Sequence, residues 1–502
     1  MRSKRAIYNI LSNFTLQIII VIYGFIVPKI IISQFGSNVN GLISSITHFL
    51  GYIVLLESGF GPVVKSILYK PISKKDKPEI ENILATSERF FKNIAKIFLL
   101  YIIILSFAYP LFINKEFDFV FTFSLILIIS ISSFAEYFFG MTYNLYLQAN
   151  QKNYIVSLIQ IILYIANIVV IFVLVKFNAS VHVIKLATCL VFTLRPLFQN
   201  YYVKKKYNIS LKKANSNYKI PQKWDGLVQH IAYVIHCNTD VTVLTIFCNL
   251  IEVSVYSVYY LVVKGIKSLI QSFCSGIDAS FGDMLAKNEH EQLNKNFELY
   301  EVLYNTLCTI IYSCTAVLIV SFVSVYTRNI IDANYVRYTF GFLLVLGEYI
   351  WAIRLPYSSI TLAAGHFKET KVGSWVEAIV NIVVSIILVG KYGIIGVAIG
   401  TCVAMFIRTL EYVYHVNKYI LKRSIFLSVK KHLLIILETA IIFVVSQNIT
   451  YMDVSSYIKW GLNAILVFVY STIIVIAINS IFYGKSYLTI LKKAKNVFRR
   501  NK

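Results

Sequence analysis

The chain has 502 residues, of which 57% are hydrophobic and only 14% charged, and its mean hydropathy is +0.68. A soluble protein of this length needs more charge to cover its outside, so composition excludes a soluble globular fold and predicts a polytopic membrane protein. The formal net charge of +24 would suit nucleic acid, but its placement between apolar runs suits membrane-flanking loops, and no nucleic-acid partner is expected.

Arg2, Lys4 and Arg5 precede the first apolar run, which ends near Ser33. That run is too long for a signal peptide and lacks a small-residue cleavage site, so it reads as a retained helix with a cytoplasmic N-terminus. Pro28 should kink it by removing a backbone hydrogen bond. After the turn Gly36-Ser37-Asn38, a second span covers about 40–64. A basic loop follows, with Lys65, Lys70, Lys74, Lys75, Lys77, Arg89 and Lys92. Spans three to six cover about 93–113, 119–145, 154–175 and 181–200, with turns at Asn114-Lys115-Glu116 and 148–153.

Residues 201–226 form the clearest break, polar and carrying Lys204, Lys205, Lys206, Lys212, Lys213, Lys219 and Lys223. They read as a linker between halves; an anionic-lipid contact or an ordinary inside loop are the other readings. Spans seven to twelve cover about 227–248, 253–276, 301–326, 337–362, 372–390 and 394–417. Between them lie a mixed-charge loop at 278–298 and a turn at 363–371. A basic loop with Lys418, Lys422, Arg423, Lys430 and Lys431 leads to spans thirteen (432–449) and fourteen (458–482), then a basic tail.

The predicted fold is therefore all-α, with fourteen transmembrane helices. Residues 1–226 form an N-terminal lobe of spans 1–6 with its basic linker, 227–431 a C-terminal lobe of spans 7–12, and 432–502 an extra helix pair and tail. Lys and Arg cluster at the termini and at every second loop, which places both termini in the cytoplasm. The cysteines, Cys189, Cys237, Cys248, Cys274, Cys308, Cys314 and Cys402, form no CxxC and read as small buried residues.

A repeat underlies the two lobes. From Tyr143, the order Asn167-Ile168-Val169-Val170, Leu174-Val175, Thr188-Cys189, Arg195 returns from Tyr357 as Asn381-Ile382-Val383-Val384, Leu388-Val389, Thr401-Cys402, Arg408. The matched polar positions weigh more than the Ile/Val runs, which apolar chains share by chance. Two related halves in a membrane protein suggest a transporter.

Ionisable side chains within spans are costly and usually face the protein interior or water. Lys264 and Lys267 are three apart on one face of span eight, and two ammonium groups so placed need an anion or acidic partners. One reading is a salt bridge to Asp240 or Glu348; the other is phosphate binding, which Arg354 would join through its planar fork. Lys185 is the one cation deep in the first half. Asp240, Glu377 and Asn381 form a second set, able to hold Na⁺ or carry a proton, or simply to pair with the lysines. His236, Glu136, Glu57 and His48 also lie within spans. Arg195 and Arg408, near the inner ends of their helices, read as snorkelling arginines rather than ligands. His48 and His182 read as satisfied by neighbours. No P-loop, HExxH or G-x-S-x-G motif is present and the external loops are short, which weighs against an enzyme.

Pro28-Lys29-Ile30, Phe35-Gly36, Asn40-Gly41-Leu42 and Glu57-Ser58-Gly59-Phe60-Gly61, together with fourteen spans and an inside N-terminus, resemble the Wzx-type oligosaccharide-lipid flippases of the MOP (MATE-like) superfamily. The resemblance covers the whole chain. It implies two lobes around a cationic cavity that alternates in access and moves an undecaprenyl-diphosphate-linked oligosaccharide from the inner to the outer leaflet of the bacterial cytoplasmic membrane. The product would be a surface polysaccharide such as capsule or O-antigen. Lys264, Lys267, Arg354 and Lys185 would meet the diphosphate, and Asp240, Glu377 and Asn381 would serve Na⁺ or H⁺ coupling, with no other cofactor. The implied partners are the lipid-linked glycan, anionic lipids at the basic loops, and the pathway's polymerase and glycosyltransferases. The rival readings are a MATE-like multidrug or metabolite/cation antiporter and a membrane-embedded glycan polymerase or acyltransferase.

Overall fold

A computed structural model describes residues 2–57, 59–114, 116–211, 214, 218, 227–274, 278–366, 369–449 and 454–500. Ser58, Lys115 and half of the predicted linker, with Lys212, Lys213, Lys219 and Lys223, lie outside the described residues. Among the described residues the regular structure is helical throughout.

The helices run in order as α1 (Arg2–Phe35), α2 (Ser37–Gly51), α3 (Val54–Glu57), α4 (Phe60–Lys74), α5 (Lys77–Ala108), α6 (Phe119–Ala135), α7 (Met141–Ala149), α8 (Asn153–Lys176) and α9 (Val181–Tyr207). They continue as α10 (Leu227–Phe247), α11 (Leu250–Cys274), α12 (Asp278–Ala286), α13 (His290–Tyr326) and α14 (Tyr338–Ala363). The last four are α15 (Lys371–Tyr392), α16 (Ile394–His415), α17 (Phe426–Ile449) and α18 (Tyr457–Arg500). One-turn π segments extend α5 at Tyr109–Ile113, join α6 to α7 at Glu136–Gly140 and extend α16 at Val416–Ile420.

Thirteen helical stretches among the described residues are long and apolar enough to cross a membrane. The apolar part of α10, Val234–Phe247, is shorter and supplies the fourteenth. The chain is an all-α polytopic membrane protein, as composition requires.

Local chemistry moves several boundaries from those predicted. The basic loop after span two is largely helical, because the Asp76 side chain caps α5 by accepting the Glu79 N–H at 3.1 Å. The 278–298 loop is likewise taken up by α12 and the start of α13. Span two is not one helix. It breaks between α2 and α3, and again at Gly59, whose φ of 82° is a left-handed conformation that glycine adopts without penalty. Pro28 sits inside the continuous helix α1.

The chain divides into two compact units, Met1–Ser254 and Val255–Lys502. In the first, α1 packs on α8, α6 on α9 and α5 on α6. Helix α10, read from sequence as the first span of the second lobe, packs on α2 and falls in this unit. Polar contacts explain the pairing. Thr245 donates to Ser45 at 2.8 Å, Tyr52 meets Thr242 at 2.9 Å, and His48 meets Asn238 at 3.0 Å. Gly41 lies against the Leu250 backbone where a side chain would not fit. By contacts the division therefore follows Ser254 rather than residue 226.

In the second unit, α15 and α16 form a close hairpin and α14 packs on α16. Gly396 lies on the Leu388–Val389 backbone, and Gly400 on Ser385 and the Asn381 carbonyl. Small residues four apart let the two helix backbones approach. The C-terminal pair α17–α18 packs on α13. Its seam is apolar, with Ile310, Cys314, Leu318, Ile442, Val467 and Val475 buried together.

Candidate functional site

The ionisable residues of the second unit form a connected set on α11, α14, α15 and α16. Lys267, on α11, forms an ion pair with Glu348 of α14 at 2.8 Å. Its ammonium also lies 4.1 Å from the centre of the Trp351 ring, one turn further along α14. Arg354 is on the same helix and donates to Glu377 of α15 at 2.8 Å. Arg408 of α16 approaches the other Glu377 oxygen at 3.6 Å and pairs with Glu411 at 2.5 Å. It also donates to the Thr370 carbonyl and Ser374 hydroxyl, each at 2.8 Å, and to the Tyr412 hydroxyl at 3.0 Å. Gly373 makes room for this cluster, since a side chain there would run into Glu411 and Arg408.

The expectation that Arg408 snorkels is thus corrected. It is buried, and its planar fork is used fully by acceptors on three sides. Arg195, its counterpart in the repeat, pairs with Glu136 at 2.7 Å in the first unit. The matched asparagines are both fully buried: Asn167 donates to the Tyr23 hydroxyl at 2.8 Å, and Asn381 to Thr401 at 3.0 Å.

In these pairs three cations, Lys267, Arg354 and Arg408, meet three carboxylates, Glu348, Glu377 and Glu411. The surplus positive charge falls on Lys264, which is exposed and has no acidic partner among the described residues. Lys267 keeps its place beside Lys264 on α11 but is matched by Glu348. Arg354 does not join the two lysines, because Glu377 on the neighbouring helix takes its guanidinium. Lys185 and Asp240 lie in the first unit, apart in sequence and unit from Glu377 and Asn381. Lys185 is half-buried, one turn before Cys189, and Asp240 is buried near Tyr52.

A second ionic cluster escaped the sequence reading. Glu301, near the start of α13, is fully buried. It accepts from Lys431 at 2.5 Å, from Arg423 at 3.0 Å and from the Tyr357 hydroxyl. Sequence alone puts Arg423 and Lys431 in a basic loop. Both turn inward, and Arg423 is held further by Asn417 at 2.6 Å and Ser428 at 3.1 Å. The signal available was an acid at the mouth of an apolar run with two cations flanking another.

Among the described residues no group of three or more His, Cys, Asp and Glu side chains is placed to hold a metal, and the six cysteines described there are not joined in disulfides. His48 is partnered by Asn238, and His182 lies 2.9 Å from Ser124 and 3.0 Å from the Phe121 carbonyl.

No protein family matches the chain, and no curated protein does either. Solved structures do. The lipid II flippase MurJ in an inward closed conformation is similar at 18% identity and a TM-score of 0.67, covering 95% of this chain and 99% of its own. A MATE-family multidrug resistance transporter of the MOP superfamily, inward-facing, is similar at 14% identity and a TM-score of 0.68, covering 81% of this chain and 98% of its own. A MOP superfamily transporter from Pyrococcus furiosus is similar at 15% identity and a TM-score of 0.56, covering 84% of this chain and 97% of its own. These likenesses, all below 25% identity, show that the chain shares the fold of these proteins.

Proposed function

We propose that this protein moves a lipid carrying a phosphorylated sugar headgroup between membrane leaflets by alternating access. The substrate class in this reading is an undecaprenyl-diphosphate-linked oligosaccharide destined for a surface polysaccharide such as capsule or O-antigen. The observation that carries it is extent. The likeness to the flippase spans 95% of this chain, against 81% for the MATE transporter, and α17–α18 are firmly built onto α13.

Physical chemistry supports the same substrate class. A bare charge moved through hydrocarbon costs many kcal/mol, so a diphosphate needs a polar, positive path. Lys264 supplies an unmatched cation, and the Lys267–Glu348 pair beside it can be exchanged for a phosphate oxygen. Lys185 adds a cation in the first unit. Arg354 contributes at one remove, by holding Glu377 away from the lysines. Asp240 in the first unit, and Glu377 and Asn381 in the second, each remain candidates for Na⁺ or H⁺ coupling. With both termini in the cytoplasm of a bacterial inner membrane, inside-negative voltage favours outward movement of the anionic head by about 2.3 kcal/mol per charge per 100 mV. Anionic lipids at the basic loops, and the polymerase and glycosyltransferases of the same pathway, are the partners this reading brings.

The second reading is a MATE-like antiporter, favoured by the TM-score of 0.68. Against it, a cationic drug needs free acids, and Glu348 and Glu377 are both engaged by cations. Deletion of the gene followed by mass spectrometry of lipid-linked sugars separates the two. Accumulation of a complete lipid-linked unit on the cytoplasmic side is the expected result. An unchanged lipid-linked pool with altered drug sensitivity would favour the antiporter.

A further inference from the structure

Glu438 is a loose end in the electrostatics of the second unit. It lies in the middle of α17 and is only 1% exposed. Among the described residues its Oε1 has no hydrogen-bond partner and its carboxylate has no ion-pair partner. The carboxyl borders a small cavity between α13, α17 and α18, lined also by Asn305, Thr306, Lys431, Asn479 and Tyr483. Asn305 is 6% exposed, and neither of its side-chain polar atoms is partnered; nor is the Tyr483 hydroxyl. Thr306 is already engaged, by Tyr487 at 2.6 Å and by Asn479 at 3.4 Å. The space admits a single small occupant. Three helices therefore each bring an unpartnered polar group to one enclosed point. Buried polar atoms are nearly always partnered, and a lone carboxylate away from water is costly unless a positive charge joins it.

We propose that Glu438 is a monovalent-cation site, where its carboxylate, the Asn305 side-chain oxygen and the Tyr483 hydroxyl hold one sodium ion or one proton at a time. Lys431 does not fill this role. It lines the same cavity, but its ammonium is committed to Glu301 at 2.5 Å and makes no ion pair with Glu438. Other titratable groups around the site are Glu298 and Glu301 from α13, Tyr349 from α14, and Tyr483 and Tyr487 from α18, the tyrosines all neutral phenols. His432, beside Tyr357 in the Glu301 cluster, is the one nearby imidazole. Occupancy fastens the C-terminal helix pair to α13, and emptying loosens it. The inference is independent of what the protein carries, and its test reads binding rather than transport.

The test uses full-length protein purified in detergent. Its unfolding midpoint is followed against sodium, balanced with choline at fixed pH, and separately against pH at fixed sodium. The unaltered protein should gain stability with sodium, which assigns the ion, or with protons alone, which assigns the proton. Glu438→Gln should lose that dependence while His432→Gln keeps it. Asn305→Ala and Tyr483→Phe should raise the half-effective sodium or proton concentration by roughly tenfold. These two milder variants decide the matter should Glu438→Gln fail to fold. A wild-type midpoint indifferent to both cations, or a dependence undiminished by these substitutions, overturns the proposal.

Discussion

Replacing Glu301 by glutamine tests how the second unit is held together. The carboxylate is fully buried and accepts from two cations, Lys431 at 2.5 Å and Arg423 at 3.0 Å. Charge-assisted hydrogen bonds contribute about 1.5–3 kcal/mol each, and stranding one member of a buried pair costs about 3–5 kcal/mol. Both routes converge on a loss of about 4 kcal/mol. For a unit of this size that lowers the unfolding midpoint by roughly 10 °C. Adding Lys431→Met removes the stranded ammonium and should recover about half of the loss. Arg423 needs no such rescue, because Asn417, Ser428 and the Phe297 ring still hold it. Thermal unfolding of the purified single and double variants gives both numbers. A fall of less than about 2 °C for Glu301→Gln, or no recovery in the double variant, would refute the reasoning.

Arg408→Lys should destabilise by about 2–4 kcal/mol, since an ammonium cannot serve Glu377, Glu411, Ser374 and the Thr370 carbonyl together; chemical unfolding measures it. Gly400→Leu should cost about 3 kcal/mol or more, because the new side chain meets Ser385 and the Asn381 carbonyl across the hairpin; low yield of folded protein is the readout. Lys264→Ala with Lys267→Ala should abolish surface polymer while the protein still inserts. Normal polymer on such cells would remove the phosphate role from α11. Asp76→Ala should cost about 1 kcal/mol through loss of the cap on α5, read as a small drop in unfolding midpoint.

Apolar run length made the spans legible, because hydrocarbon thickness fixes how long a crossing helix must be. Edges were less so. The cap at Asp76 and the left-handed Gly59 act through local hydrogen bonds and dihedrals that hydropathy does not register. Lys264 and Lys267 share one helix face, and sequence already offers Asp240 or Glu348 as the acid that answers them; which of the two pairs with Lys267 depends on which helix packs beside α11, a long-range fact. The same limit hid the Glu301 cluster, since more than a hundred residues separate that acid from the cations it binds. Arg408 was misread because an arginine near a helix end has two outcomes, lipid headgroups or a neighbouring acid, and only packing chooses between them. Glu438 was overlooked as a single acid within an ordinary apolar span.

Helix α18 runs from Tyr457 to Arg500, and its axis is interrupted at Tyr483, where φ is −128°. That residue also forms part of the wall around Glu438. The basic tail beyond it is therefore a lever whose pivot is a wall of the enclosed chamber. A bend of α18 at Tyr483 and a change in the cavity beside Glu438 involve the same residue.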